Sequence, residues 1–155
     1  MSRRTKQPNS SMCFVCGVDN PLGLALSFHE DDQGRVWCVF DPADAYQGYP
    51  DRLHGGIVAA VLDEALGRTV IGRGIWAVTA RMSLRYHHPT PMGIQLTVMG
   101  ELVKQRGRVV EARGEMRLPD GRVAVEATAT YVCLPEEETT GMEEALQFWR
   151  VIPDE

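Results

Sequence analysis

The sequence lacks a long uninterrupted apolar run. Its 155 residues are 44% hydrophobic and 24% charged, which is ordinary for a soluble globular protein. The longest apolar stretch, residues 57–71, contains Asp63, Glu64 and Arg68, so we expect no membrane span. The first eleven residues, MSRRTKQPNSS, lack the apolar core of a secretory signal. We therefore expect a disordered tail over residues 1–11 and a cytoplasmic protein.

Basic residues form no block in this chain. Sixteen Lys and Arg stand against 21 Asp and Glu, which gives a formal net charge of −5 at pH 7. Nucleic-acid-binding domains usually carry a basic patch or stripe, so we expect no nucleic acid as a partner. An acidic protein can still bind an anionic ligand through a local group of arginines. The length predicts one domain.

Cysteine is scarce, with Cys13, Cys16, Cys38 and Cys133. Without an export signal, a disulfide framework is not expected. Cys13 and Cys16 form one CxxC motif, but the sequence has no second pair to complete a zinc site. Two interpretations stay open: a compact apolar turn, which we favour, and a metal knuckle completed by His29 or by a second subunit. We accordingly expect no metal and no cofactor.

The stretch 54–71 organises the chain. After His54, two glycines precede an almost wholly apolar run, too long for an ordinary strand and too short to cross a bilayer. This predicts a buried helix that the rest of the chain covers on all sides. The free N–H groups at its start suit an anion or a developing oxyanion. The alternative is a tight turn in which glycine is needed only for packing.

One carboxylate, Asp63, lies within this predicted helix. Spacings of four, three and four place a set of mostly small residues on one face: Gly56, Ala60, Asp63 and Gly67. Such a face leaves room for a ligand or another backbone beside the acid. Asp is a poor helix former and is rarely buried unless paired, so Asp63 is either a chemical group or a buried acid satisfied by backbone donors. Glu64, four residues before Arg68, predicts an ion pair at the helix edge.

Strand-like alternation flanks the helix on both sides. The predicted strands are residues 24–28, 36–40, 76–87, 94–102, 109–118 and 123–133. Hairpin-sized turns join the last four, which predicts an antiparallel sheet. The fold class is therefore α+β, with a curled antiparallel sheet of about six strands around one helix. We expect the domain to span residues 12–134, followed by an acidic extension over 135–155 with a short helix at 142–150.

Two motifs carry a resemblance to a known family. The motifs are CFVCG at 13–17 with NPLGL at 20–24, and YQGYP at 46–50 followed by HGG at 54–56 and LDE at 62–64. With the element order, over roughly residues 13–134, they resemble a hotdog-fold thioesterase of the PaaI-like group of the 4-hydroxybenzoyl-CoA thioesterase superfamily. The resemblance implies hydrolysis of an acyl-CoA thioester to a free acid and CoA.

The resemblance also implies catalytic roles by position. Asp63 matches the acid that activates water or attacks the thioester carbonyl. Gly55 matches the residue whose backbone N–H polarises that carbonyl. Thr79 falls where relatives carry a hydroxyl near the attacking water. His54 matches the motif histidine, which shapes the turn or contacts the thioester region rather than acting as the base.

Substrate-binding residues follow from the same resemblance. Some relatives carry an Asn about six residues before the motif histidine, where this chain has Gly48, so Gln47 is the candidate for the second carbonyl contact. Gly56 belongs to the same motif. Basic side chains near a subunit seam are implied for the CoA phosphates, and the candidates are Arg81, Arg85, Arg106 and Arg108. The alternative for each arginine is a solvated surface position.

The spacing of Gly55 and Asp63 predicts a shared site. Eight positions in a helix correspond to roughly 12 Å, too far for one helix to serve both roles on one thioester. We therefore expect a homodimer, with a dimer of dimers as a further possibility. An alternative function is a non-catalytic acyl-CoA-binding or structural hotdog protein; a hydratase would need a His and acid pair on a differently spaced helix. The sequence leaves the acyl chain open.

Overall fold

The computed structural model describes residues 3–146 and 148–154. The strands are β1 (Thr5–Lys6), β2 (Asn9–Ser10), β3 (Phe28–Glu30), β4 (Val36–Phe40), β5 (Ala77–Tyr86), β6 (Leu96–Arg106), β7 (Val109–Arg117), β8 (Val123–Cys133) and β9 (Trp149–Arg150). Within the described residues, seven of them form an antiparallel sheet in the order β1-β3-β4-β6-β7-β8-β5, and β2 pairs with β9. The predicted antiparallel α+β architecture is confirmed.

The helices are α1 (Gly55–Gly67), α2 (Glu136–Thr139) and α3 (Met142–Ala145), with 3-10 turns at Asp44–Tyr46 and Arg68–Arg73. In the described part of the chain, every helix is too short or too polar to span a bilayer. The helix predicted over 54–71 thus becomes α1 followed directly by a 3-10 segment. Gly74, with φ of 72°, ends that segment in a left-handed conformation that suits glycine.

Helix α1 packs on the concave side of the sheet through its apolar positions. Its buried residues are Val58, Val61, Leu62, Ala65 and Leu66. Burial of each large side chain contributes about 1.5–3 kcal/mol. Gly100 of β6 permits the close approach, because a Cβ atom there would lie 2.8 Å from the carbonyl oxygen of Ala65. The sheet and the central helix therefore share one core.

The prediction that α1 is covered on all sides is wrong for the single chain. Gly56 is exposed, and Ala60, Asp63 and Gly67 are only half-buried. These residues form the face of small side chains that the spacing predicts. Small side chains bury little apolar surface, so an open face here costs little.

The N-terminal segment also differs from the disordered tail expected over residues 1–11. Strand β1 pairs with β3, and both residues of β2 are buried. The amide of Asn9 donates to the carbonyls of Cys16 and Leu26 at 2.8 and 3.0 Å. A polar segment can pack in this way because its side chains satisfy buried backbone groups. Residues 1 and 2 lie outside the described residues.

The acidic extension places its helix differently from the sequence prediction. Glu136–Thr139 forms α2, and among the described residues of 142–150 only Met142–Ala145 are helical, while Trp149–Arg150 forms β9 against β2. The Trp149 ring docks on Trp76 with ring centroids 5.0 Å apart. The pairing of β9 with β2 joins segments that are far apart in the sequence, so no local sequence pattern predicts it. Residues 147 and 155 lie outside the described residues.

Candidate active site

The carboxylate of Asp63 is held by two hydroxyl groups from the sheet. Thr79 of β5 donates a hydrogen bond to Asp63 Oδ1 at 2.7 Å, and Tyr131 of β8 donates to the same oxygen at 2.9 Å. Tyr131 also donates to the Asp63 backbone carbonyl at 2.9 Å. Thr79 and Tyr131 are register partners in the β5–β8 pair, so cross-strand pairing fixes both donors on one side. The structure thus brings Asp63 and Thr79 together and adds Tyr131.

Sequence reasoning alone misses Tyr131, because its position is set by strand register. It lies 68 positions from Asp63 in the chain. Gly67 leaves space for its ring, since a Cβ atom there would lie 3.3 Å from Tyr131 Cε1. Burial, reinforced by the charge of Asp63, raises the pKa of Tyr131 well above its ordinary value. The phenol therefore keeps its proton and acts as a donor.

The second carboxylate oxygen of Asp63, Oδ2, accepts no hydrogen bond from the residues that the structure describes. Asp63 lines a cavity of about 310 Å³ together with Gly67, Trp76, Thr79 and Tyr131. A carboxylate with one oxygen fixed by donors and the other open can take a proton from water or attack an electrophile. The geometry is compatible with both roles that the resemblance implies for Asp63.

The start of α1 presents a free backbone donor. His54 caps the helix, and its Nδ1 accepts a hydrogen bond from the Gly56 N–H at 2.9 Å. Tyr86 of β5 donates to the Gly55 carbonyl at 2.7 Å. The Gly55 N–H has no acceptor among the described residues. A first-turn N–H without an acceptor at the positive end of a helix suits a developing oxyanion.

Gly55 lines a second and larger cavity of about 820 Å³. Its wall includes Gln47, which the resemblance selects, and three residues that sequence reasoning does not: Arg52, His87 and His88. Their nitrogen donors suit an anionic group. The loop carrying Gln47 meets the end of β5 here, a contact that spacing along the chain cannot predict.

Gly48 occupies the position where some relatives carry an asparagine. A Cβ atom on Gly48 would lie 3.1 Å from the Cα of His54. The backbone of this loop therefore packs tightly against the residue that caps α1. A longer side chain at position 48 would require the backbone around His54 to move. Gln47 already lies in the cavity wall.

None of the four predicted phosphate-binding arginines lines either of these cavities in a single chain. The β5 ladder shifts register between Thr79 and Arg81. Beyond the shift, Met82 and Leu84 pack against the core, whereas Arg81 and Arg85 are exposed. The structure therefore does not bring these arginines to Gly55 or Asp63 within one chain.

The two cavities divide the predicted catalytic residues between them. Gly55 and His54 line the larger one, and Asp63 and Thr79 line the smaller one. Among the described residues, none lines both. One chain therefore contains both functional groups but does not place them around one substrate position.

Glu64 lines the same cavity as its neighbour Asp63, but its carboxylate has a different partner. Arg68 Nε donates to Glu64 Oε1 at 2.9 Å, which confirms the predicted ion pair. The pair is internal rather than at the helix edge, since Arg68 is 2% exposed. Burial raises the pKa of Glu64, and the Arg68 charge opposes that shift. Cys13 Sγ lies 3.7 Å from Glu64 Oε2.

Comparison with known proteins points to one family. The thioesterase superfamily model matches residues 51–125, which include α1 and β5. Acyl-coenzyme A thioesterase THEM4 of Bos taurus is 29% identical over 135 residues, which cover 85% of this chain and 56% of that protein. The chain therefore spans little more than half the length of this curated relative.

Solved structures share the architecture. A thioesterase superfamily protein, RHA08564, superposes with a TM-score of 0.73 at 34% identity, covering 77% of this chain and 59% of that one. A hypothetical thioesterase from Streptococcus pneumoniae TIGR4, solved with coenzyme A, gives a TM-score of 0.62 at 26% identity. That match covers 64% of this chain and 81% of the other.

Proposed function

We propose that this chain is an acyl-CoA thioesterase of the thioesterase superfamily, because that superfamily's model matches residues 51–125 and the chain shares the hotdog fold of the PaaI protein. In one route, Asp63 takes a proton from water, the water oxygen attacks the thioester carbonyl, the C–S bond breaks, and the leaving CoA thiolate takes up the proton as the free acid forms. In the other route, Asp63 attacks the carbonyl, CoA leaves as the C–S bond breaks, and water then hydrolyses the acyl-Asp63 anhydride to the free acid. Asp63 activates the water or is the nucleophile, and the Gly55 N–H stabilises the oxyanion. The names of the relatives support CoA as the thiol portion of the substrate.

The observation that carries this proposal is the state of the Asp63 carboxylate. Two hydroxyl donors fix Oδ1 on the inner side, while Oδ2 borders a cavity without a donor among the described residues. In a non-catalytic hotdog protein, Asp63 would be only a buried polar group with its hydrogen-bonding capacity satisfied. A half-buried carboxylate with one open oxygen favours catalysis over that alternative.

We further propose that the active site is shared by two chains. Strand β5 lies at one end of the strand order, so one of its edges has no partner strand among the described residues. Val78 and Tyr86 on this strand are each 51% exposed. Edge strands of this length are templates for pairing with another chain. A two-fold axis beside β5 and the open face of α1 would set each Asp63 near the partner's Gly55.

Other residues take supporting roles in this arrangement. Thr79 and Tyr131 hold Asp63, and His54 holds the first turn of α1. Gln47 is the candidate for a second contact to the carbonyl oxygen. Gly56 and the arginines Arg81 and Arg85, near or on the proposed seam, stay candidates for substrate binding. Assembly of dimers into a tetramer and a cytoplasmic location likewise stay predictions.

A thiol-release assay over a panel of acyl-CoA thioesters tests the activity. The wild type should release CoA, and Asp63→Asn should lower kcat by about 10²–10⁴-fold, the usual worth of a general base. Asp44→Asn is the matched control, because Asp44 is exposed and lies outside both cavity walls. Binding of acyl-CoA without release of thiol would favour the non-catalytic alternative. Full activity of Asp63→Asn would refute the role of Asp63.

A further inference from the structure

A second cluster of reactive side chains joins the N-terminal segment to α1 beside the proposed active site. One ligand atom from each of Cys13, Cys16 and Glu64 lies within 4.8 Å of the other two. Cys16 is buried, and the other two are half-buried. Glu64 comes directly after Asp63, yet its carboxylate contacts the N-terminal segment rather than the hydroxyls of β5 and β8.

The local structure holds the two sulfur atoms toward the helix. The Gly17 N–H donates to the Cys13 carbonyl at 2.7 Å, and the Cys13 N–H donates to Ser10 Oγ at 3.1 Å. A Cβ atom at Gly17 would lie 2.6 Å from the Cys13 nitrogen, so this turn requires glycine. At the other end of the turn, the Asn9 side-chain amide donates a hydrogen bond to the Cys16 carbonyl. The CFVCG segment is therefore a compact turn, as predicted, and it brings both sulfur atoms near Glu64.

The donor set suits a thiophilic divalent cation. Tetrahedral zinc sites have metal–sulfur and metal–oxygen bonds of about 2.3 and 2.1 Å, which place neighbouring ligand atoms roughly 3.5–3.8 Å apart. The Cys13 Sγ to Glu64 Oε2 distance is 3.7 Å. Arg68 occupies the other carboxylate oxygen, Oε1, and so leaves Oε2 directed toward the sulfur.

The charges also balance around such an ion. Two thiolates and one carboxylate carry three negative charges. The buried Arg68 guanidinium supplies one positive charge, and a divalent cation would supply two. A buried site with a net charge near zero avoids the large cost of an uncompensated buried charge.

We propose that Cys13, Cys16 and Glu64 bind a divalent zinc-like cation, with water in the fourth position, and that this ion fastens the N-terminal segment to α1. The third protein ligand is then Glu64, and not His29 or a second subunit as the sequence allows. This inference revises our expectation of no metal and does not depend on the proposed hydrolysis.

Cobalt binding tests the site with a spectroscopic signal. The full chain, reduced and stripped of metal, is titrated with Co²⁺, which gives a sulfur-to-cobalt charge-transfer band when thiolates coordinate it and intense d–d bands when the site is near-tetrahedral. The expected result is one Co²⁺ per chain with a sulfur-to-cobalt charge-transfer band, bleached by added Zn²⁺. Cys13→Ser and Cys16→Ser should lose the band, and Glu64→Gln should alter its d–d region. Cys133→Ser is the matched control, because Cys133 is half-buried and outside the cluster.

A second measurement covers variants that fail to fold. In the wild type, bound Zn²⁺ should protect the half-buried Cys13 from alkylation while Cys133 still reacts, as read by peptide mass spectrometry. Zn²⁺ should also raise the melting temperature of the wild type. Absence of the charge-transfer band with reduced thiols would overturn the proposal. So would a band unchanged in Cys16→Ser, or equal alkylation of Cys13 with and without Zn²⁺.

Discussion

The two ends of α1 differ in the chemical groups that they present, and the proposed shared site would use them as complementary halves. At the N-terminal end, the exposed Gly55 N–H borders a cavity of about 820 Å³ whose wall includes Arg52 and His87. Toward the C-terminal end, Asp63 borders a cavity of about 310 Å³ that includes the Trp76 ring. One end carries donors and the positive end of the helix dipole, and the other carries a fixed carboxylate.

This difference shows how a short helix can serve acyl transfer chemistry. An oxyanion donor works best at the helix start, where N–H groups have no internal acceptor. The acid needs hydrogen-bond donors from the sheet, and β5 and β8 supply them to Asp63. Roughly 12 Å of helix separates the two positions, so pairing with a second α1 in the opposite direction would unite them.

Among single changes at the N-terminal end of α1, removal of the Gly55 N–H should lower kcat the most. Gly55→Pro deletes the N–H, and kcat should fall by about 10²–10³-fold, as for other oxyanion donors. Proline is tolerated at the first helical position, and His54 already has the extended ψ of 130° that a residue before proline prefers. The measurement is steady-state thiol release with circular dichroism to confirm the helix.

Gly55→Ala provides the control, because it retains the N–H. A Cβ atom at this position would lie 3.6 Å from the Tyr86 hydroxyl, an ordinary contact. Activity within about threefold of wild type is therefore expected, well inside the loss for an oxyanion donor. Equal losses in Gly55→Ala and Gly55→Pro would break the comparison, because they would show that space and not the N–H matters at this end.

At the other end, Tyr131→Phe should have a smaller effect. The hydroxyl donates to Asp63 Oδ1 and to the Asp63 carbonyl, and a hydrogen bond to a charged group contributes about 1.5–3 kcal/mol. We expect kcat to fall about 10–100-fold with little change in KM, since the phenol positions the acid and does not bind substrate.

Tyr46→Phe is the matched tyrosine control. Its hydroxyl donates to the Gly23 carbonyl at 2.7 Å, and it lies outside both cavity walls. This variant should lose some thermal stability and keep kcat. If Tyr131→Phe changes only the melting temperature and leaves kcat intact, Tyr131 has a structural role and its hydroxyl does not position Asp63 for catalysis.

Asp31→Asn should leave kcat unchanged, because Asp31 lies at neither end of α1. This variant tests the stability of the fold alone. Burial opposes ionisation of Asp31, but backbone and side-chain hydrogen bonds from Arg35 outweigh it and lower its pKa below 3.8. A carboxyl whose folded-state pKa is depressed stabilises the fold above its unfolded-state pKa, and this stabilisation disappears as the pH falls through the lower value. The variant should lose about 1 kcal/mol at pH 7, a difference that denaturant unfolding should show to vanish in acid. A marked loss of kcat would contradict the separation between fold and site.

The sequence predicts the parts of the molecule whose signals are local. Periodicity predicts the central helix and the later strands, and a four-residue spacing predicts the Glu64–Arg68 pair. The contact of Tyr131 with Asp63 is beyond such reasoning because it depends on the β5–β8 register over 68 positions. The contact of Cys13 with Glu64 spans 51 positions and depends on how the N-terminal segment packs.

Complementation between two inactive chains tests the shared site most directly. Asp63→Asn and Gly55→Pro are purified separately, shown to fold and dimerise, and then mixed under conditions that exchange subunits. Each heterodimer would carry one site with both defects and one intact site. Random exchange of equal amounts should restore about a quarter of wild-type activity, since half of the dimers are mixed.

Native mass spectrometry, with one variant isotopically labelled, should measure the fraction of heterodimers in the same sample. If two chains share the site, thiol release should rise in proportion to that fraction, from the low level of the parents. If verified heterodimers remain as inactive as either parent, Gly55 and Asp63 do not serve one substrate across two chains, and the shared site is refuted.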